Sequence, residues 1–367
     1  MSGNAGFETF DLVAMGIKIA VVVVMLLQVV PIMVWVERRG SALLQNRLGP
    51  NRIGPLGLLQ SLVDAVKMMF KEDRITGHVN PFYYRLAPLV SLIPAFMTFA
   101  AIPFASHITI GEKTVQFQIA DLNVGLLYIL SITSLSVYGI IMGSWASNNK
   151  YAIFGGLRSA AQMISYELSM GLSIVGMVMI VGSMQLGDIA TAQGAALMHL
   201  GPLTIPKWGI FIQPIGFLIF ITCTYAETNR LPFDLPEGES EIVAGYHLEY
   251  YSMMFGMFMM AEYINMTVAA ALTATLYFGG WQLLPGMNFL LSHAGLEGMA
   301  FEWGRVALEA ASFTIKTAFF MWLFVWVRWT IPRFRYDQLM DLGWKVMLPL
   351  SLANIFVTGF LIYLKVL

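Results

Sequence analysis

Six carboxylates and one guanidinium crowd the stretch TYAETNRLPFDLPEGESEIVAGYHLEYY (224–251): Glu227, Asp234, Glu237, Glu239, Glu241 and Glu249 against Arg230. Asp234 and Glu237 have the D-x-x-E spacing of a capping box, and acids favour a helix N-terminus, so part of the cluster has a purely structural account. That account covers two or three acids and leaves the others. Glu237 and Glu241 fall one turn apart on one face if a helix starts there. Carboxylates packed this closely cannot all stay ionised cheaply, because each raises its neighbours' affinity for protons. Crowding combined with burial produces groups that exchange protons near neutrality.

Further ionisable residues interrupt apolar runs. Glu262 lies within FGMFMMAEYINMT, and Glu167 about two turns into AAQMISYELSMG. A charge at a helix centre costs roughly 2.5–3.5 kcal/mol on insertion scales, so such residues face a bundle interior and mark pathways. Lys316 and Glu309 are seven residues apart in another run, and mutual pairing explains them nearly as well as a pathway does. Ser165, Tyr166 and Tyr263 are placed to extend a hydrogen-bonded chain, although Tyr near a helix end is commonly an interface residue.

The third polar segment is ERRGSALLQNRLGPNRIGPLGLLQSLVDAVKMMFKED (37–73). Its two Gly-Pro pairs, 49–50 and 54–55, break any helix begun before them. From Leu56 to Phe70 the polar residues are Gln60, Ser61, Asp64 and Lys67, with Lys71 just beyond, and the 60/64/67/71 spacing predicts an amphipathic helix lying along the membrane surface or between the membrane and a partner. Arg38, Arg39, Arg47 and Arg52 fit two roles: anchoring to lipid headgroups, or, with Asp64, lining an access passage for an amphiphile. An isoprenoid quinone is such an amphiphile.

The composition says what must position these groups. Of 367 residues 57% are apolar and 12% charged, against roughly 25% charged in soluble proteins. Mean hydropathy is +0.70. Lipid is therefore the solvent, and a net charge of −1 excludes a nucleic-acid partner. A single cysteine, Cys223, cannot build a disulfide framework, zinc site or iron–sulfur cluster. The five histidines fall outside the clean apolar runs, which excludes a haem-bearing cytochrome. No Gly-rich phosphate or dinucleotide loop occurs. The chain is expected to bind no metal and no cofactor of its own, so any electrons come from partner subunits.

Apolar windows long enough to cross ~30 Å of hydrocarbon fall near 15–36, 86–105, 124–146, 160–183, 208–227, 250–278, 310–328 and 346–364. The shorter run 283–291 reads as interfacial. These predict an all-α integral membrane protein with one polytopic domain over 1–367. The N-terminus MSGNAGFETFD carries no basic residue and so lacks the n-region of a cleaved signal. Connections after spans 1, 3, 5 and 7 hold fifteen Lys and Arg, and the opposite side four. This puts loops 37–85 and 228–249 on the cytoplasmic side and both termini on the periplasmic side. Residues 107–123 alternate around a Gly-Glu-Lys turn, which predicts a short hairpin on the far side.

These segments resemble the H-type membrane subunit of bacterial proton-pumping NADH:quinone oxidoreductases (respiratory complex I), the counterpart of subunit 1 in mitochondria. Four motifs carry the similarity: ERRGSALLQNRLGPNRIGPLGLLQSLVDAVK (37–67), LRSAAQMISYELSMG (157–171), AETNRLPFDLPEGESEIVAGYHLEYYSMMFGMFMMAEY (226–263) and PRFRYDQLMDLGWKVMLPLSL (332–352). The resemblance implies a tilted bundle of eight transmembrane helices where a peripheral and a membrane arm meet. It implies that Glu37, Arg38, Arg47, Asp64, Arg230 and Arg328 border a quinone tunnel. It also implies that Glu167, Glu227, Glu237, Glu239, Glu241 and Glu262, with Asp234 among them in sequence, form an acidic proton path towards antiporter-like subunits. Implied partners are peripheral iron–sulfur and quinone-site subunits, small membrane subunits and the antiporter-like subunits. Flavin and iron–sulfur clusters belong to those partners, and the quinone is substrate. The connections 105–123, 184–207 and 279–305 match poorly and look longer than in the mitochondrial form, which favours a bacterial inner membrane over a mitochondrial one.

Two other functions compete. The equivalent subunit of a membrane-bound hydrogenase or related ion-pumping dehydrogenase keeps part of the acidic core, but the basic first loop argues against it. A stand-alone secondary transporter uses buried acids to bind coupling ions, but often shows a paired internal repeat, and none is found here.

Overall fold

A computed structural model describes residues 9–73, 75–110, 113–200, 203–236, 238, 243–285, 287 and 298–365. Among the described residues seven helical stretches are long and apolar enough to cross a membrane, so the chain is a multi-pass, mostly helical membrane protein. In chain order the helices are α1 (Thr9–Leu44), α2 (Gln60–Phe70), α3 (Pro81–Thr98), α4 (Gly125–Ala146), α5 (Lys150–Val181), α6 (Leu186–Ala192), α7 (Gly209–Ile212), α8 (Pro214–Glu227), α9 (Ser252–Tyr277), α10 (Gly298–Thr330), α11 (Tyr336–Asp341) and α12 (Leu348–Tyr363). A turn of π-helix, Leu342–Met347, joins the last two.

Several elements overrun their hydrophobic windows. Helix α1 continues two turns past its apolar run and so carries Glu37, Arg38 and Arg39 as helical residues. Helix α10 begins twelve residues before the expected span 310–328. The expected span 208–227 is divided, because Pro214 supplies no amide to continue α7, and α8 is only 14 residues long. Gln213 at that break donates to Thr358 Oγ1 at 2.6 Å and accepts from Asn354 Nδ2 at 2.9 Å, which ties α8 to α12.

The expected hairpin forms from β1 (His107–Ile110) and β2 (Lys113–Gln116), with His107 opposite Gln116 and Ile110 opposite Lys113. A second antiparallel pair, β3 (Ala196–Leu200) and β4 (Leu203–Pro206), was not foreseen. Most of the run 283–291 lies outside the described residues. Glu309 and Lys316 do not pair. Arg305, a turn earlier, takes Glu309 at 3.3 Å, and Lys316 donates to the carbonyls of Gly280 and Gln282 at 2.9 and 2.6 Å. The carbonyls after α9 lie closer to Lys316 than any carboxylate on its own helix does.

Helix α9 is the hub, packing on α3, α10, α1, α2 and α8. Helix α2 rests on α1 and α9. Its Asp64 and Gln60 turn towards α1, while Leu62, Val66, Met69 and Phe70 stay exposed. The glycine-proline loop before it needs Gly57, where φ is +75° and a Cβ would stand 2.2 Å from the Pro50 carbonyl oxygen. Helices α3 and α4 make the most extensive pairing. At Gly139 their backbones come so close that a Cβ would lie 2.1 Å from Ser91 Oγ and 2.7 Å from the Ser91 amide nitrogen.

Overpacking of this kind destabilises by about 1–3 kcal/mol or more. Gly139→Ala is therefore expected to lower the thermal midpoint of the detergent-extracted protein, whereas Gly16→Ala, which meets nothing within 4 Å, is expected to leave it unchanged. Equal midpoints for the two variants would refute the close-approach account.

Candidate functional site

Glu37 stands in the overrun of α1 and is buried there. Its Oε1 accepts from Arg230 Nη1 at 3.3 Å and from Arg328 Nη1, and its Oε2 accepts from the Tyr263 hydroxyl at 2.5 Å. Arg230 Nε lies 2.8 Å from Glu262 Oε1, and its guanidinium sits 4.5 Å over the Tyr263 ring. Arg333 Nη2 donates to Asp234 Oδ2 at 3.1 Å. The Glu37 and Arg230 side chains are 9% and 7% exposed. Three carboxylates thus meet three guanidiniums, drawn from α1, the turn after α8, α9, and the end of α10 with its continuation. Formal neutrality matters here, because an uncompensated buried charge costs several kcal/mol.

The turn after α8 delivers two of these groups. Asn229 takes a left-handed conformation (φ +50°), and the Arg230 amide returns to the Tyr225 carbonyl at 3.2 Å, which closes the helix C-terminus. From α5, Gln162 Nε2 reaches the Ala226 carbonyl (2.7 Å), the Phe233 carbonyl (2.9 Å) and Asn229 Oδ1 (3.2 Å). Burial pushes the Asp234 carboxyl up, against the pull of Arg333, Arg328 and Arg230.

Glu227, the last residue of α8, lines two small cavities. One of about 30 Å³ lies between it and Glu262, walled also by Ser91, Ser136, Thr228 and Asn265. The other, about 20 Å³, is walled by Thr133, Thr224 and Asn265 among apolar side chains. Each has room for about one or two waters, and Asn265 Oδ1 is buried without a hydrogen-bond partner. Glu167 accepts from Ser134 Oγ across the α4–α5 contact and is near enough to Glu227 for the two carboxylates to repel.

The basic first segment is less unified. Arg38 pairs with Asp64, which also accepts from Gln60 at 2.9 Å. Burial pushes the Asp64 carboxyl up, but the Arg38 and Gln60 hydrogen bonds outweigh it and hold the group below the usual carboxylate range. Arg47 stands apart, donating to Gln45 at 2.7 Å. Tyr263 joins the hydrogen-bonded chain as expected. Ser165 and Tyr166 do not, since their hydroxyls donate to the Ala161 and Leu339 carbonyls. Glu237, Glu239 and Glu241 lie outside the described residues, and with them the capping box of Asp234 and Glu237. Sequence reasoning missed Gln162, Asn265 and Arg333. A polar Asn three residues after Glu262 was a usable signal for Asn265.

Residues 17–359 match the family described as NADH dehydrogenase. The chain belongs to this family. It is 46% identical over 380 residues to the H-type subunit of the NADH-quinone oxidoreductase of Bdellovibrio bacteriovorus, covering 98% of both chains. It is 45% identical to an H-type subunit of the same enzyme from Geobacter sulfurreducens (96% of this chain, 97% of that one). It is 49% identical to NADH-quinone oxidoreductase subunit 8 of Rhodothermus marinus (88% and 90%).

Two outcomes follow from the charge arrangement. Glu37→Gln leaves the cluster with three guanidiniums against two carboxylates and is expected to lose about 3–5 kcal/mol, while adding Arg328→Met recovers part of it. Thermal unfolding of the four proteins of this cycle checks the claim, which additive losses would contradict. His247, packed edge-on against Tyr246 and Phe255, has its pKa lowered to about 4 by burial. Below ~6.5 the unfolded chain takes a proton there and the folded one does not, so stability falls as pH drops from ~6.5 towards 4, by at most about 3 kcal/mol. His247→Phe is expected to flatten that acid slope, measured as thermal midpoint against pH; an unchanged slope would exclude His247 as its source.

Proposed function

We propose that this chain is the membrane-arm subunit of a proton-translocating NADH:quinone oxidoreductase, forming the quinone tunnel with peripheral subunits and carrying the acidic path that couples quinone reduction to pumping. The observation that carries this reading is the Arg230 guanidinium shared between Glu37 and Glu262, with the cavity behind Glu262 opening on Glu227. Two carboxylates compete for one cation, so a change at either is felt by the other, and strongly so in a medium of low dielectric.

Reduction of a quinone takes two electrons and two protons, and it creates a demand for positive charge at the docking passage. Glu37, Arg38, Arg47, Asp64, Arg230 and Arg328 border that passage. When the passage draws Arg230 towards itself, Glu262 loses its counter-charge and is driven to take a proton. A water in the 30 Å³ cavity lets that proton pass between Glu262 and Glu227, and Glu167 continues the path. Asp234, raised by burial, supplies a further carboxylate, and by the family resemblance Glu237, Glu239 and Glu241 belong to the same path. The groups that bind the quinone headgroup, the flavin and the iron–sulfur clusters belong to peripheral partners, and the pumping machinery beyond Glu167 belongs to small membrane and antiporter-like subunits.

The same reading fixes the membrane arrangement. Helices α7 and α8 together make a fifth of eight crossings, and α2 lies at the cytoplasmic interface with its exposed apolar residues towards lipid or partner. The whole chain is one polytopic domain with both termini periplasmic in a bacterial inner membrane.

Glu262→Gln and Glu227→Gln are each expected to lower NADH:quinone reduction and its proton pumping by about tenfold or more, at the low end of the ~10²–10⁴ contributed by positioned proton-transfer groups or just below it. NADH oxidation by an artificial acceptor in the peripheral arm is expected to hold. Loss of both activities together marks failed assembly, and full retention of both sinks the acidic path. Sensitivity to quinone-site blockers separates this reading from a hydrogenase-type complex.

A further inference from the structure

The turn 226–233 carries two charged side chains to different places: Glu227 lines the cavities, while Arg230 enters the charge cluster, where Asp234 follows just after the turn. Asn229, between them, takes a left-handed backbone conformation, which asparagine tolerates better than most residues with a side chain. The turn's carbonyls at Ala226 and Phe233 and the Asn229 side chain are met from outside it, by α5.

Gln162 is fully buried. Its amide nitrogen reaches the turn at both ends and in the middle: the Ala226 carbonyl, the Asn229 side chain and the Phe233 carbonyl. Two N–H groups serve three oxygens, so one is shared. Its own oxygen, Oε1, has no hydrogen-bond partner. A buried amide with a stranded acceptor is unfavourable compared with an apolar side chain of the same shape. Methionine or leucine would fill the volume without that penalty, so the donor side of this amide is what the site requires.

We propose that Gln162 is a positioning residue: its amide clamps the 226–233 turn as one rigid unit, so that displacement of Arg230 at the quinone side is delivered to Glu227 three residues earlier. This rests on the acidic-path reading given above. Gln162 touches neither the quinone nor a transferred proton. It acts through the backbone that carries both charged groups.

The test uses the assembled complex in inverted membrane vesicles, with Gln162→Met, Gln162→Glu and, for reference, Glu227→Gln. Artificial-acceptor NADH oxidation reports assembly. Gln162→Met, which keeps volume but donates nothing, is expected to lower kcat for quinone reduction about tenfold, the effect of losing roughly one or two net hydrogen bonds, with KM for quinone unchanged. Gln162→Glu donates through its O–H while protonated, but once ionised presents only acceptors to three oxygens. Its quinone reduction is expected to approach that of the unaltered complex at acid pH and to fall as pH rises, along a limb the unaltered complex lacks. A side chain that merely fills space gives no such limb.

Unaltered kcat in Gln162→Met overturns the proposal, as does a Gln162→Glu pH profile that tracks the unaltered complex. Should Gln162→Met fail to assemble, the Gln162→Glu profile decides alone. Impaired Glu227→Gln beside unimpaired Gln162→Met removes only the positioning role. Full activity in Glu227→Gln removes the acidic path itself, and the proposal with it.

Discussion

One carboxylate, Glu37, held between Arg230 and Arg328 and closed off by the Tyr263 hydroxyl, is the constraint around which the charged end of this bundle is arranged. Charges taken out of water survive only when compensated at short range. The compensation comes from positions 193, 226 and 291 residues further along the chain. Helices α1, α9 and α10 and the turn after α8 must therefore converge here, and their remaining contacts are largely apolar packing that holds them in that arrangement.

The sharing of Arg230 gives the cluster its chemistry. A guanidinium bound by one carboxylate is a structural tie. Between Glu37 and Glu262 it becomes a divided counter-charge, sensitive to whatever happens at either acid. The cavity between Glu262 and Glu227 adjoins the cluster and has room for about one or two waters beside polar side chains. Arg38 with Asp64, farther out, fastens α2 to α1 and leaves the apolar residues of α2 free for lipid or another partner.

Hydropathy windows revealed most of the crossings, since lipid forces long apolar runs on any helix it surrounds. They misjudged the ends. Glu37 read as the first residue of a loop because its neighbours are charged, yet the helix continues beneath it. Helix α8 read as part of one long span because Pro214 interrupts the hydrogen bonding without interrupting the apolarity. The pair β3–β4 left no clear alternation to detect. Within the site, unusual acids in apolar surroundings were legible: Glu167, Glu227 and Glu262 each break a run. Their partners were not. Nothing in local spacing tells that Arg333 answers Asp234, or that Lys316 prefers the carbonyls of Gly280 and Gln282 to Glu309. Those choices are made by tertiary packing across tens to hundreds of residues. Gln162 was hidden for the same reason, being an ordinary amide in a helix until the turn it clamps is seen.

The most direct test of the shared-cation account is infrared difference spectroscopy of the purified complex, comparing oxidised and quinol-loaded states in the carboxylic C=O stretching region. The account predicts a band reporting a carboxyl that gains or changes its proton when quinone is reduced, present in the unaltered complex and missing when Glu262→Gln is introduced. A difference spectrum with no carboxylic band, or one identical in the Glu262→Gln complex, would contradict it.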